Sequence, residues 1–143
     1  MLGIIYAIVA GIAMSLQGVF NTNVSDKIGM WHTNVIVQAI ALICSAIALF
    51  FTKDGGFAGL RDVNKLYLFG GVLGAVITFT VMKGIGSLGA TFAIAIILIS
   101  QISAAAAIDA FGLFGAEKLT FGLAQIGGLV LMIGGILLFK WKF

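Results

Sequence analysis

Five long apolar runs, with every charged residue lying outside them, constrain this chain more than any other feature of its sequence. Each run is near the ~20 residues that an α-helix needs to cross about 30 Å of hydrocarbon. Helices are favoured over strands because the runs are continuous, and because backbone polar groups in lipid must be paired within their own segment. The predicted spans cover residues 2–20, 33–51, 66–82, 89–108 and 119–139.

The composition supports a lipid environment. Of the 143 residues, 62% are hydrophobic and 9% are charged, a balance that a soluble domain could not hide behind a polar surface. The sequence therefore predicts an all-α integral membrane protein, a single transmembrane domain over residues 1–143, with the lipid bilayer as its surroundings. The net charge of +3 comes from singly scattered basic residues, which argues against nucleic acid as a partner.

Short segments are predicted to connect the spans, at residues 21–32, 52–65, 83–87 and 109–118. Trp31, Tyr67 and Trp141 fall near the ends of predicted spans, as interfacial aromatic residues do. This agreement supports the predicted span boundaries.

The chain has 20 glycines and no proline, so any helix bend or close helix contact must be made with glycine. In the last span, glycines at heptad spacing would let a second helix approach closely, which favours helix association in lipid. They are Gly127, Gly128, Gly134 and Gly135. We predict a dimer contact on this helix; the alternative is ordinary packing within one chain.

The basic residues give no preferred orientation in the membrane. With five spans, one side of the membrane would carry Lys53, Arg61, Lys65 and Lys118, and the other side would carry Lys27, Lys83, Lys140 and Lys142. A balance of this kind is expected when one chain inserts both ways round and the two orientations pair. We therefore predict an antiparallel homodimer of ten helices, with a chance balance of charge as the alternative.

Intramembrane amides are the candidate substrate-binding residues, because polar groups in lipid usually face the bundle interior. Gln17 and Asn21 are four residues apart, as are Asn34 and Gln38, so each pair shares a helix face. Gln101 lies in the fourth span beside two serines. Amides both donate and accept hydrogen bonds, which suits a polar small-molecule substrate. The alternative is that they join helices by hydrogen bonds alone.

Asp109 is the carboxylate nearest a predicted polar span. An acid at a helix C-terminus opposes the helix dipole, so Asp109 is either a coupling or mouth residue of a pathway or a capping residue of the next turn. With one cysteine, Cys44, and one histidine, His32, the chain predicts no metal site and no cofactor. No pair of carboxylates or nucleophile with a base is evident, so an enzyme is not expected.

Several segments resemble one transporter family. They are residues 17–21 (QGVFN), Gln101 with residues 109–115 (DAFGLFG), and residues 117–120 (EKLT) leading to residues 125–127 (QIG) and Gly134. Across most of its length the chain resembles the drug/metabolite transporter superfamily, in particular its five-span bacterial branch, the YdcZ-like or DUF606 group. The resemblance implies a multi-pass transporter of the bacterial inner or plasma membrane that is often dimeric.

The chain is also similar in scale to the four-span small multidrug resistance exporters, which pair antiparallel. Their first-span glutamate is absent here, and Gln17 occupies a comparable depth. That difference argues against drug–proton antiport by their route.

The function predicted from these features is a small secondary transporter that moves a small organic solute by alternating access in a dimer. Two other classes stay open. One is a dual-topology small-ion channel, although the Ser/Thr-rich and Phe-lined pore motifs expected of it are not evident. The other is a non-transporting membrane subunit that assembles with a partner of different sequence.

Overall fold

The computed structural model describes residues 2–52, 56–120 and 122–141. Its long helices are α1 (Leu2–Ile28), α2 (Met30–Phe51), α3 (Gly70–Leu88), α4 (Ala90–Phe111) and α5 (Leu123–Lys140). Three 3₁₀ segments, Phe57–Arg61, Lys65–Phe69 and Leu113–Gly115, lie in the connections. Five helical stretches are long and apolar enough to cross a membrane, which confirms the predicted all-α, five-span fold. Lys53 and Lys142 of the charge comparison lie outside the described residues.

The distribution of polarity is the reverse of that in a soluble domain. Large apolar side chains are exposed on every long helix, with Phe50 and Leu131 at 87% and 77% exposure. The few buried side chains include more polar than large apolar ones. Since apolar side chains outside the bundle are stable only against hydrocarbon, this pattern indicates that lipid surrounds the helices.

The helices form two compact units. The first unit, residues 1–87, contains α1, α2 and nearly all of α3, and the second unit, residues 88–143, contains α4 and α5. The single transmembrane domain stays a prediction.

Two helix junctions differ from the predicted connections. Residues 21–32 were expected to connect two spans, but α1 continues to Ile28 and α2 begins at Met30, with Gly29 alone between them. Likewise, residues 83–87 do not form a turn, because α3 continues to Leu88 and only Gly89 precedes α4. The predicted spans end at charges and turn residues, but a helix can continue beyond the hydrocarbon once its charged side chains reach water.

Both junction glycines have nearly the same backbone conformation, with φ 85° and ψ 155° at Gly29 and φ 80° and ψ 156° at Gly89. This region of backbone space is essentially restricted to glycine. The amide of Gly29 donates to the carbonyl of Ser25 at 2.8 Å, and its carbonyl accepts from the amide of Thr33 at 3.1 Å. The backbone of Gly29 therefore takes part in the last hydrogen bond after α1 and in the first hydrogen bond of α2.

In the first unit, α3 packs against both other helices. Its earlier turns contact α2, where the Trp31 and Phe79 rings stack with centroids 4.7 Å apart. Its later turns contact α1 at Gly18, where an added Cβ would lie 2.7 Å from Ile85 Cδ1 and 3.1 Å from Val81 Cγ1. Glycine at position 18 lets α1 and α3 approach closely, because an added methyl group would force the ends of the Ile85 and Val81 side chains to move.

We expect Gly18→Ala to destabilise the first unit by about 1 to 2 kcal/mol, since overpacking forces neighbours away. Ile85→Val removes the Cδ1 atom that the new methyl would meet. The double variant Gly18→Ala with Ile85→Val should therefore lose less stability than the sum of the two single changes, by at least about 0.5 kcal/mol. Unfolding in mixed detergent micelles measures all three variants, and simple additivity would show that this contact does not limit packing.

In the second unit, α4 packs against α5 in an antiparallel arrangement. Lys140 Nζ, in the last turn of α5, lies 4.5 Å from the centroid of the Phe92 ring near the start of α4. The predicted boundaries shift by a few residues, since α4 continues to Phe111 and α5 begins at Leu123. Gly112 ends α4 in the left-handed conformation (φ 62°), as C-terminal glycines do.

Candidate functional site

The buried polar side chains of the first unit lie on α1 and α2, within eight residues of Gly29 along the sequence. We call them the polar cluster; its members are Asn21, Thr22, Ser25, Thr33 and Asn34. All are at most 8% exposed, and Thr33 is fully buried. Burial of polar groups costs free energy unless they are hydrogen-bonded, so the partners of each one matter.

The three hydroxyl groups of the polar cluster all donate to the backbone of their own helix. Thr22 donates to the carbonyl of Gly18 at 2.8 Å, and Ser25 donates to that of Thr22 at 2.8 Å. Thr33 donates to the carbonyl of Gly29 at 2.9 Å. Each hydroxyl group thus donates its only hydrogen to a backbone carbonyl, so its oxygen can take part in further hydrogen bonds only as an acceptor.

Asn34 is the polar cluster member that bonds to another helix. Its Nδ2 donates to the carbonyl of Ala75 in α3 at 2.8 Å. Its Oδ1 is buried and is the one buried side-chain polar atom without a hydrogen-bond partner among the residues described. A buried carbonyl oxygen left unpaired is unusual in proteins and calls for a physical explanation.

The contact between α2 and α3 continues on both sides of Asn34. One turn earlier Trp31 stacks on Phe79, and one turn later Gln38 Nε2 lies 3.6 Å from the position a Cβ on Gly74 would take. Asn34 and Gln38 therefore share the helix face that packs on α3, as their spacing predicts. Their role in substrate binding stays a prediction.

The other predicted amides differ in burial. Asn21 is 8% exposed, whereas Gln17, four residues earlier on α1, is exposed. Gln101 is also exposed on α4. The substrate-binding role of these three residues stays a prediction. An amide that faces lipid costs free energy, so Gln17 and Gln101 need another polar group or helix to cover them in the membrane.

Asp109 stabilises the end of α4 through its backbone. Its carbonyl oxygen accepts from the amides of Gly112 at 3.3 Å and Leu119 at 3.0 Å. The side chain is half-buried, and its predicted role as a coupling or mouth residue remains open. No group of three or more His, Cys, Asp or Glu side chains that could hold a metal ion occurs among the residues described.

The four glycines predicted as a dimer contact leave an open helix surface. For Gly127, Gly128, Gly134 and Gly135, an added Cβ would meet no atom of the described chain within 4 Å. Gly128 also lines a cavity of about 480 Å³ between α4 and α5, whose other walls are almost entirely apolar. Its polar residue, Gln125, already accepts through Oε1 from the amide of Gly122 at 3.0 Å. The dimer contact itself stays a prediction.

Sequence reasoning missed the hydroxyl residues of the polar cluster. Thr22 and Ser25 were placed in a connecting segment, whereas they continue the buried face of α1 that begins at Gly18. The spacing of residues 18, 22 and 25 is that of one helix face and was the available signal.

Comparison with known proteins gave one family. The family model DMT_YdcZ, described as "Putative inner membrane exporter, YdcZ", matches residues 2–138. No curated protein and no solved structure matched the chain significantly.

Proposed function

The chain belongs to this YdcZ family of inner membrane exporters, and from that premise we propose that it moves a small organic solute by alternating access in a dimer. It is a multi-pass protein of the bacterial inner membrane, in contact with lipid. The observation that carries the proposal is the polar cluster, which is buried in a chain that otherwise exposes apolar side chains. Three of these side chains donate to backbone carbonyls of their own helices, and Asn34 Oδ1 is the buried atom that is left without a partner among the residues described.

Helix association alone explains the polar cluster poorly. The three hydroxyl groups bond within their own helices, so they do not join one helix to another. Asn34 does bond across to α3, but interhelical hydrogen bonds of this kind contribute only ~0.6 kcal/mol on average in membranes. Asn34 Oδ1 makes no such bond, so helix association does not account for it.

A second copy of the chain would cover polar side chains that are exposed in the single chain. The exposed amides of Gln17 and Gln101 would be covered by a second copy, and the α5 glycines offer a surface on which helices can approach closely. Transporters built from inverted halves bind solutes near the midplane, between the halves. Two copies in opposite orientations would provide such halves with ten helices.

Substitution of the exposed amides tests this function. The solute is first identified by a thermal-shift screen of purified protein against metabolites and cationic drugs, since a bound ligand raises apparent stability. In proteoliposomes, Gln17→Leu combined with Gln101→Leu is expected to lower flux of that solute about tenfold or more. Asn23→Leu, which removes an exposed amide of α1 outside the predicted site, is the matched control. Unchanged flux in the double variant would contradict the proposal.

A further inference from the structure

We propose that the cavity between α4 and α5 binds one acyl chain of a bilayer phospholipid. We call this cavity the α4–α5 groove; it lies between residues 102–110 of α4 and residues 125–132 of α5. The inference requires only that the chain spans a lipid bilayer, so it does not depend on the transport proposal. It starts from the walls of the groove and from where the groove begins and ends along the two helices.

Small side chains on both helices create the α4–α5 groove. Ala106 and Ala110 on α4, together with Gly128 on α5, leave a volume of about 480 Å³ between the helices. Apolar cavities stay free of water and bind apolar molecules instead, and one of about 150 Å³ already accepts benzene. An empty groove would also lose the dispersion contacts of its walls. The groove is therefore expected to hold an apolar occupant.

The α4–α5 groove extends across one half of the membrane. Its shallow end is formed by Ala110, near the end of α4, and by Gln125, in the first turn of α5. Its deep end is formed by Ile102 and Met132, which lie close to the middle of their helices. The seven residues from Gln125 to Met132 span about 10 Å of α5. One leaflet contributes about 15 Å of hydrocarbon, so the groove follows the path of an acyl chain in that leaflet.

The polar side chain in the wall of the α4–α5 groove lies at its shallow end. Gln125 Oε1 accepts from the amide of Gly122 at 3.0 Å, which leaves the Nε2 amide as a donor. A phospholipid carries ester carbonyl oxygens, which are acceptors, where its acyl chains join the headgroup. Glu117 and Lys118 precede α5 and carry opposite charges, so the charge of the headgroup is not expected to decide binding. The polarity of the groove thus changes along its length as it does along a phospholipid.

A second copy of the chain does not need the α4–α5 groove to form the predicted dimer. At 100° per residue, Gly127 and Gly134 lie on roughly the opposite side of α5 from Gln125 and Met132. A dimer contact through these two glycines would leave the groove open. The lipid can therefore occupy the groove in a monomer and in a dimer.

Lipid retention by purified protein tests the proposal. Delipidated protein in dodecyl maltoside is titrated with 1-palmitoyl-2-oleoyl-phosphatidylethanolamine, and native mass spectrometry counts the lipids bound to each chain. We expect one lipid per chain to bind first and to resist detergent washing. Ala106→Leu combined with Ala110→Leu fills the groove and should weaken this binding about tenfold or more. Ala104→Leu with Ala105→Leu is the matched control, because both residues are exposed on α4 outside the groove.

Thermal unfolding of the same samples gives a second measurement. The lipid should raise the apparent stability of the unsubstituted protein and of the control. It should have little effect on the filled variant, because the added leucine side chains supply the contacts that the acyl chain would make. Gly128→Leu fills the groove from α5 and decides the question if the alanine variant does not fold, since an added Cβ there meets no atom of the described chain within 4 Å.

Three results would overturn the proposal. The first is that the unsubstituted protein retains no lipid, and the second is that the filled variants and the control retain it equally. The third is that filling the groove abolishes a dimer in protein that binds no lipid, which would assign the groove to a second copy. The flux assay remains a separate test of transport, because lipid retention is measured without a solute.

Discussion

Replacement of Gly29 by valine is expected to destabilise the first unit by about 2 to 3 kcal/mol or more. Gly29 has φ 85° and ψ 155°, a conformation essentially restricted to glycine, and a β-branched side chain fits it least. The cost is large because the junction has one residue, so α1 and α2 cannot share the strain with a longer loop. The polar cluster lies on both sides of this junction and should be disrupted with it.

Unfolding in mixed detergent micelles, followed by circular dichroism, measures this change. Gly11→Val is the matched control, because Gly11 lies within α1 and an added Cβ there meets no atom of the described chain within 4 Å. Gly89→Val should lose stability comparably, since Gly89 has nearly the same dihedral angles. If Gly29→Val and Gly11→Val unfolded alike, the junction would not depend on the conformation of glycine.

Loss of the dimer is the second large effect that we expect. Leucine at both Gly127 and Gly134, seven residues apart on α5, would fill the surface where a second helix could approach. The added side chains meet no atom of the described chain within 4 Å of their Cβ positions, so each chain should still fold. The protein should then elute as a monomer, and solute flux should fall to the background of empty liposomes.

Size-exclusion chromatography with light scattering, together with the flux assay, measures both properties in one preparation. The control is Gly3→Leu with Gly11→Leu, a pair of equally open glycines on α1. A dimer that survives the α5 changes, or is lost equally in the α1 pair, would show that α5 is not the specific contact.

The candidate site was only partly predictable from sequence. The four-residue spacing placed Asn34 and Gln38 on one face, and both do contact α3. The same reasoning paired Gln17 with Asn21, yet Asn21 is buried and Gln17 is exposed. Spacing defines which residues share a face, but which part of that face is covered depends on where another helix crosses it.

The number and type of the helices were determined by the sequence alone, because the exclusion of charge from each apolar run follows from the cost of placing it in hydrocarbon. The helix boundaries at Gly29 and Gly89, and the unpaired oxygen of Asn34, were decided only by the tertiary structure. The free energy of transfer into lipid is a sum over the residues of a segment and can be obtained from composition. A hydrogen bond depends on which two atoms meet, and that is fixed only when α3 packs across α1 and α2.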